Sequence, residues 1–494
     1  MVVSPRTRTY LVIVVVALLA AGVVVARLPV ESGGSPSALV PATTGSRPPL
    51  TSAPPSPDGA GDPYYPQDGN GGYDVTGYDV DVSYSPDTRR LDGRAAITAN
   101  ATAELSRFHL DLRGLDVSAV TIGGRPATFT REGDHELVIT PETPLPPGGV
   151  FTAEVVYGGD PAAIADDSLG TSGWQVSASG GAFAAGQPHS ASTWYPVNDT
   201  PRDKATWTLS ARVPDGWTAI SNGLEGTPVS ADGWTTFEWR EETPIASYLT
   251  TVAIDRWTVD RSQLPDGTPV VDAYAPGAEH KRSVQQRMPE VLAFLAEKFG
   301  PYPQRAAGGI FLADQIGFSL ETQTRPVYAG WAELETVVHE QAHQWFGDSV
   351  TIENWADICL NECLASYAQW LWDEAKQGGD LDSQYRMVVE RSDFRSGYWE
   401  RALYDMGPGR EFEGVYDKGI VAMHALRRQI GDDAFFGALR EWAALHRDGN
   451  ASWPEFEQHV ERVAGQDLDA FFAAWFRGTT KPADEHLYPG PLRR

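Results

Sequence analysis

Polarity in this chain repeats every second residue up to about residue 257 and at helical spacing after it. That switch constrains the fold most, because strands and helices present side chains at periods of about 2.0 and 3.6. The stretches 78-YDVDVSY-84, 95-AAITANATA-103, 108-FHLDLRG-114 and 136-ELVIT-140 alternate, with turn residues between them. So do 150-VFTAEVVYGG-159, 207-WTLSARV-213 and 234-WTTFEWR-240. They predict an antiparallel β domain over 69–257. Beyond it, 284-VQQRMPEVLAFLAEKFG-300 carries apolar residues at helical spacing and stops on glycine. Helices also read over 331–346, 360–375, 421–430, 434–445 and 467–476. The order predicts an α+β multidomain chain: a β domain, a mainly helical domain over 258–480, then a polar tail at 481–494.

The N-terminus carries a different signal. Arg6 and Arg8 precede an uncharged apolar run, Leu11 to Ala26, inside a leader of residues 1–30. It reads either as a cleaved export signal or as a membrane anchor across residues 10–26. Both place the bulk of the chain outside the cytoplasm. Residues 31–68 are rich in Pro, Gly and Ser and read as a disordered spacer. With 39 basic against 66 acidic residues the net charge is -27, which excludes nucleic acid as the natural partner.

The chemistry concentrates in 339-HEQAH-343. His339 and His343 are one helical turn apart, so both imidazoles point the same way and can share one zinc ion. Glu340 sits beside them, placed to take a proton from a water on the metal. A catalytic zinc needs a third protein ligand, and Glu362, nineteen residues past His343 on the next predicted helix, supplies it. The chain's two cysteines, Cys359 and Cys363, bracket Glu362. Regular helical spacing holds i,i+4 Cβ atoms about 5–6 Å apart, too far for a disulfide, so both read as packed thiols. Ser366, one turn past Glu362, reads as a hydrogen-bond partner for a metal ligand.

The segment 339-HEQAHQWFGDSVTIENWADICLNECLASY-367 closely resembles the zinc signature of the gluzincin aminopeptidases, the family of aminopeptidase N. The resemblance extends to 194-WYPVNDTPRDKATW-207 and 298-KFGPYP-303 and covers the chain beyond about residue 69. It implies a saddle-like β-sandwich domain, a thermolysin-like zinc domain, one Zn2+ per chain and peptide substrates with free N-termini. By position, Glu321 in 317-GFSLETQTRPVY-328 matches the glutamate that binds the substrate's α-ammonium group. Tyr416, in 414-GVYDKGIVAMHALR-427, matches the tyrosine that donates to the tetrahedral oxyanion, and Gln187 matches a substrate-binding glutamine. The segment F-S-L-E-T departs from the family's G-A-M-E-N, which alters the pocket for the first side chain. The resemblance is to a short form that lacks the large C-terminal helical domain of longer relatives. Together these features imply a zinc aminopeptidase. The alternatives are an endopeptidase or other small-substrate hydrolase on the same site, and a non-catalytic envelope protein binding partners through its β domain.

Overall fold

The structure, a computed structural model, describes residues 59–166 and 169–493. The leader and most of the spacer lie outside the described residues. Among the described residues, no helix is long and apolar enough to cross a membrane.

Strands come first, as the two-residue period predicts. A nine-stranded sheet runs, from one edge, Leu224–Glu225, Trp234–Ile245, Ala205–Pro214, Tyr73–Ser85, Arg90–Ala101, Val150–Gly159, Asp116–Ile122, Arg125–Pro126. Val229–Ala231 pairs beside Trp234–Ile245. In Arg90–Ala101 every second residue is buried, so one face is core and the other is wet. The sheet is not wholly antiparallel: Tyr73–Ser85 pairs parallel to Ala205–Pro214, a long-range choice that alternation cannot encode. Beside it lie a five-stranded sheet through Gly170–Val176 and Ala182–Ala185, and a three-stranded sheet of Phe108–Asp111, Glu136–Thr140 and Thr128–Glu132. Trp174, Trp194 and Trp207 fill the core between them, and Trp194 meets Trp207 edge-on at 5.5 Å. Burying a side chain of this size contributes about 2–3 kcal/mol.

The helical half contains α1 (Met288–Phe299), α2 (Leu334–Ala342), α3 (Cys359–Gln377), α4 (Leu381–Ser392), α5 (Lys418–Ile430), α6 (Asp432–Leu445) and α7 (Trp453–Ala464). It also holds a four-stranded sheet of Thr258–Gln263, Pro269–Tyr274, Ala307–Phe311 and Val327–Tyr328, which periodicity did not reveal. The strand 307-AGGIF-311 is buried on both faces and so has no alternation to read. Gly308 lets it approach closely, since a Cβ there would lie 1.9 Å from the Val271 carbonyl.

Both ends of the described chain are packed. Tyr64 and Asp62, which composition assigns to the spacer, are buried: the Tyr64 hydroxyl donates to Asp405 Oδ1 at 3.1 Å and Asp62 Oδ2 accepts from the Trp355 N–H at 2.9 Å. In the polar tail, Leu487 and Leu492 are buried and Arg386 donates to the Pro491 carbonyl at 3.1 Å.

Candidate metal centre

Helix α2 begins with a capping box between Glu333 and Thr336, and the Lys281 ammonium braces Glu333 at 2.8 Å. That fixed start sets the direction of His339 and His343. Helix α3 packs against α2 and brings Glu362 to them. His339 Nε2 and His343 Nε2 lie 3.1 Å apart, and Glu362 Oε2 is 3.1 Å from the first and 3.4 Å from the second. Two ring nitrogens and a carboxylate oxygen thus aim lone pairs at one point. Ligands about 2.1 Å from a tetrahedral zinc ion stand about 3.4 Å apart, so the donor set fits zinc. His343 Nδ1 donates to the Phe346 carbonyl at 3.0 Å, which leaves Nε2 free of its proton for a metal.

The surrounding charge also calls for a cation. Donor atoms of Glu321, Glu340 and His343 lie within 4.8 Å of one another. Burial pushes the Glu340 carboxyl well above its usual range, and burial with the Glu362 charge pushes Glu321 up to about 7. Burial alone would lower His343, but Glu321, Glu362 and Glu340 outweigh it and hold the imidazole at about 10.

Gln187, from the segment after the strand Ala182–Ala185, donates through Nε2 to Glu321 Oε1 at 3.0 Å. The β domain thus reaches into the site. Tyr416 precedes α5, with its ring 6.0 Å from that of His339; one face of the residue stays open, at 43% exposure. Burial of its hydroxyl end and the Glu362, Glu321 and Glu340 carboxylates keep the phenol protonated. The structure therefore gathers His339, Glu340, His343, Glu362, Glu321, Gln187 and Tyr416 around one centre.

Two expectations fail. Cys359 and Cys363 form a disulfide with Cα atoms 4.8 Å apart. Cys359 is the first residue of α3, directly after the tight turn Trp355–Asp357, and the Glu362 and Asn361 N–H groups both converge on the Ile358 carbonyl. Ideal mid-helix spacing does not hold there. Ser366 is buried with its hydroxyl unpaired among the described residues, so it supports no ligand. Two supporting residues had no signal in the sequence. Gln344 accepts from the Thr324 N–H at 2.8 Å and donates to the Glu321 carbonyl at 3.3 Å, pinning the Glu321 loop to the ligand segment. Tyr248 reaches from the β domain to accept from Asn361 Nδ2 at 3.3 Å.

A β domain ahead of a helical core, with this triad and its neighbouring glutamate, defines a metallopeptidase of the H-E-x-x-H…Glu class. Comparison with known families matches residues 75–249 to the Peptidase M1 N-terminal domain and residues 321–475 to the Peptidase family M1 domain. Aminopeptidase N of Streptomyces lividans is 27% identical over 313 residues, 56% of this chain and 36% of that protein. Probable aminopeptidase 1 of Saccharolobus solfataricus is 26% identical over 316 residues, 58% of this chain and 39% of its own. The chain thus spans well under half the length of these relatives. An M1 zinc metallopeptidase from Deinococcus radiodurans superposes with a TM-score of 0.80 at 29% identity, over 88% of this chain and 99% of that one. A mutant of that protein bound to a Tyr-Ser-Ala substrate superposes at 0.78. The chain belongs to peptidase family M1, among the aminopeptidase N-like gluzincins, whose cofactor is one catalytic zinc ion.

Proposed function

We propose that this protein is a zinc aminopeptidase that releases the N-terminal residue of peptides. The observation that carries the reading is the Gln187–Glu321 pair beside Glu340 and His343. A carboxylate held at that distance from a hydrolytic centre selects a cationic N-terminus and sets the cut one residue in.

His339, His343 and Glu362 would hold the zinc. The ion supplies Lewis acidity to the attacking water and the scissile carbonyl. Glu340 takes the water's proton and hands it to the leaving amine; burial already favours its protonated form. The Tyr416 hydroxyl donates to the oxygen on which charge develops. Glu321 and Gln187 anchor the α-ammonium group. We also propose an extracytoplasmic site of action. It rests on the charged, apolar leader, and the disulfide in α3 agrees with an oxidising compartment.

The test is turnover of aminoacyl amides and of matched free and N-acetylated peptides, with metal content measured alongside. Glu340→Gln is expected to keep its zinc and lose turnover by about 10²–10⁴-fold. Glu321→Ala is expected to raise KM at least about tenfold for free N-termini, the scale of one lost charge-assisted contact. Equal cleavage of free and acetylated peptides by the wild type would remove the exopeptidase reading.

A further inference from the structure

A second set of ligand atoms converges in the β domain, on residues the proposed reaction does not use. Asp111 ends the strand Phe108–Asp111 and is the register partner of Glu136, which begins Glu136–Thr140 directly after His135. His135 Nε2 lies 3.7 Å from Asp111 Oδ1, 3.7 Å from Glu136 Oε1 and 3.5 Å from Asp68 Oδ1. These separations are long for hydrogen bonds. They are close to the roughly 3.4 Å between two ligands of one tetrahedral ion. The catalytic triangle in the same chain has edges of 3.1–3.4 Å.

Each carboxylate is steered by its outer oxygen and left bare on its inner one. Asp111 Oδ2 accepts from Asn70 Nδ2 at 3.2 Å and from the Asp199 N–H at 2.8 Å. Glu136 Oε2 faces His109 Nδ1 at 3.2 Å. Among the described residues, Asp111 Oδ1 and Glu136 Oε1 are buried and accept no hydrogen bond, and Asp111 as a whole is only 1% exposed. Leaving a buried carboxylate oxygen without a donor is costly. Burial, then the charges of Glu136, Asp199 and Asp68, push the Asp111 carboxyl well up, so the cluster is short of positive charge. Arg113 approaches Asp68 at 3.7 Å, and His189 pairs with that same carboxylate. His135 Nε2 donates to the Gln67 carbonyl at 3.2 Å, and a bound metal would take the place of that Nε2 proton.

We propose that Asp111, His135 and Glu136, whose ligand atoms all lie within 4.8 Å of one another, bind a second divalent ion of the zinc–manganese class. One imidazole with several carboxylates is a borderline donor set, too hard for copper(I) and too nitrogen-rich for calcium. The ion ties the strand Phe108–Asp111 to its partner Glu136–Thr140. Asp68, 3.5 Å from His135, also meets His189, two residues from Gln187.

The catalytic site is first disabled by His343→Ala. That chain is stripped with a chelator, exposed to Zn2+ alone or Mn2+ alone, desalted, and its metal counted. One retained equivalent per chain is expected, and its loss when Asp111→Asn and His135→Gln are added. No retained metal in the His343→Ala chain overturns the proposal. So does an equivalent that survives both added substitutions, or retention of Ca2+ with neither Zn2+ nor Mn2+. Should the triple variant fail to fold, Glu136→Gln on the His343→Ala background decides: affinity weakened at least tenfold supports the site, and unchanged affinity overturns it.

Discussion

Gly347 turns the chain just after His343, with φ +136°, and a Cβ there would come within 3.2 Å of His343 Nδ1. That nitrogen is the one held by the Phe346 carbonyl, so any side chain at 347 disturbs the bond that orients the imidazole. Gly347→Ala is expected to weaken zinc binding about 10–100-fold, the usual scale for losing such an orienting contact. Competition against a chelating dye measures it, and wild-type affinity would count against this role. His424 offers a pH test away from the metal. It is fully buried, with Nδ1 2.9 Å from the Tyr367 hydroxyl and Nε2 2.9 Å from Asp382 Oδ1. Burial, opposed by Asp382, holds its pKa down to about 4. The unfolded chain takes up that proton near pH 6.5, so the stabilising contribution is complete above 6.5 and drains away as pH falls toward 4. Denaturant unfolding of wild type against His424→Gln should show a wild-type margin that shrinks by about 2–3 kcal/mol between pH 7.5 and 4. A margin independent of pH would refute the assignment. At this scale the sequence is read most directly: His339, Glu340 and His343 follow from helical geometry alone. Gln344 and Tyr248 do not, because each meets a segment that only the tertiary fold brings beside it: the Glu321 loop for Gln344, the start of α3 for Tyr248.

At the scale of elements, the join between α3 and α5 matters most. Gly419, in the first turn of α5, has no room for a side chain, since a Cβ would lie 2.6 Å from Cys363 Sγ. The disulfide therefore forms the floor on which α5 starts, two residues after Tyr416. Gly419→Ala is expected to cost about 1–3 kcal/mol through overpacking and to lower kcat by displacing Tyr416. Thermal unfolding with steady-state kinetics tests both; an unchanged melting temperature would show the contact to be slack. Helices with a strong apolar stripe, such as α1 and α5, were legible in the sequence. The sheet through Ala307–Phe311 was not, because strands buried on both faces lose alternation. Helices α4 and α7 also went unread, although α7 opens with a capping box at Ser452 and Glu455.

Across the whole molecule, the β domain completes the site as well as adjoining it. Arg202 donates to the Glu353 carbonyl at 2.7 Å, to Asn354 Oδ1 at 2.6 Å and to the Ala60 carbonyl at 3.0 Å. Lys204 reaches the Asp348 and Ser349 carbonyls at 2.7 and 3.0 Å, with its pKa lowered to about 8 by burial. Arg202→Ala leaves three acceptors without their cation and is expected to destabilise the fold by about 2–3 kcal/mol. Since Gln187 lies on the same side of that join, KM should rise more than kcat falls. Unfolding midpoints and kinetic constants together check this, and a loss confined to kcat would sink it.

The sequence by itself determined the order of β and helical domains and singled out the histidine pair and Glu362 that the fold brings together. Those depend on local periodicity and fixed helical spacing, which neighbouring residues set. Only the tertiary structure decided the parallel strand pairing, the buried mixed sheet, the disulfide, and the meeting of Asp111, His135 and Glu136. Each of these turns on how close two backbones come, and close approach is a property of packing that no single stretch of chain carries.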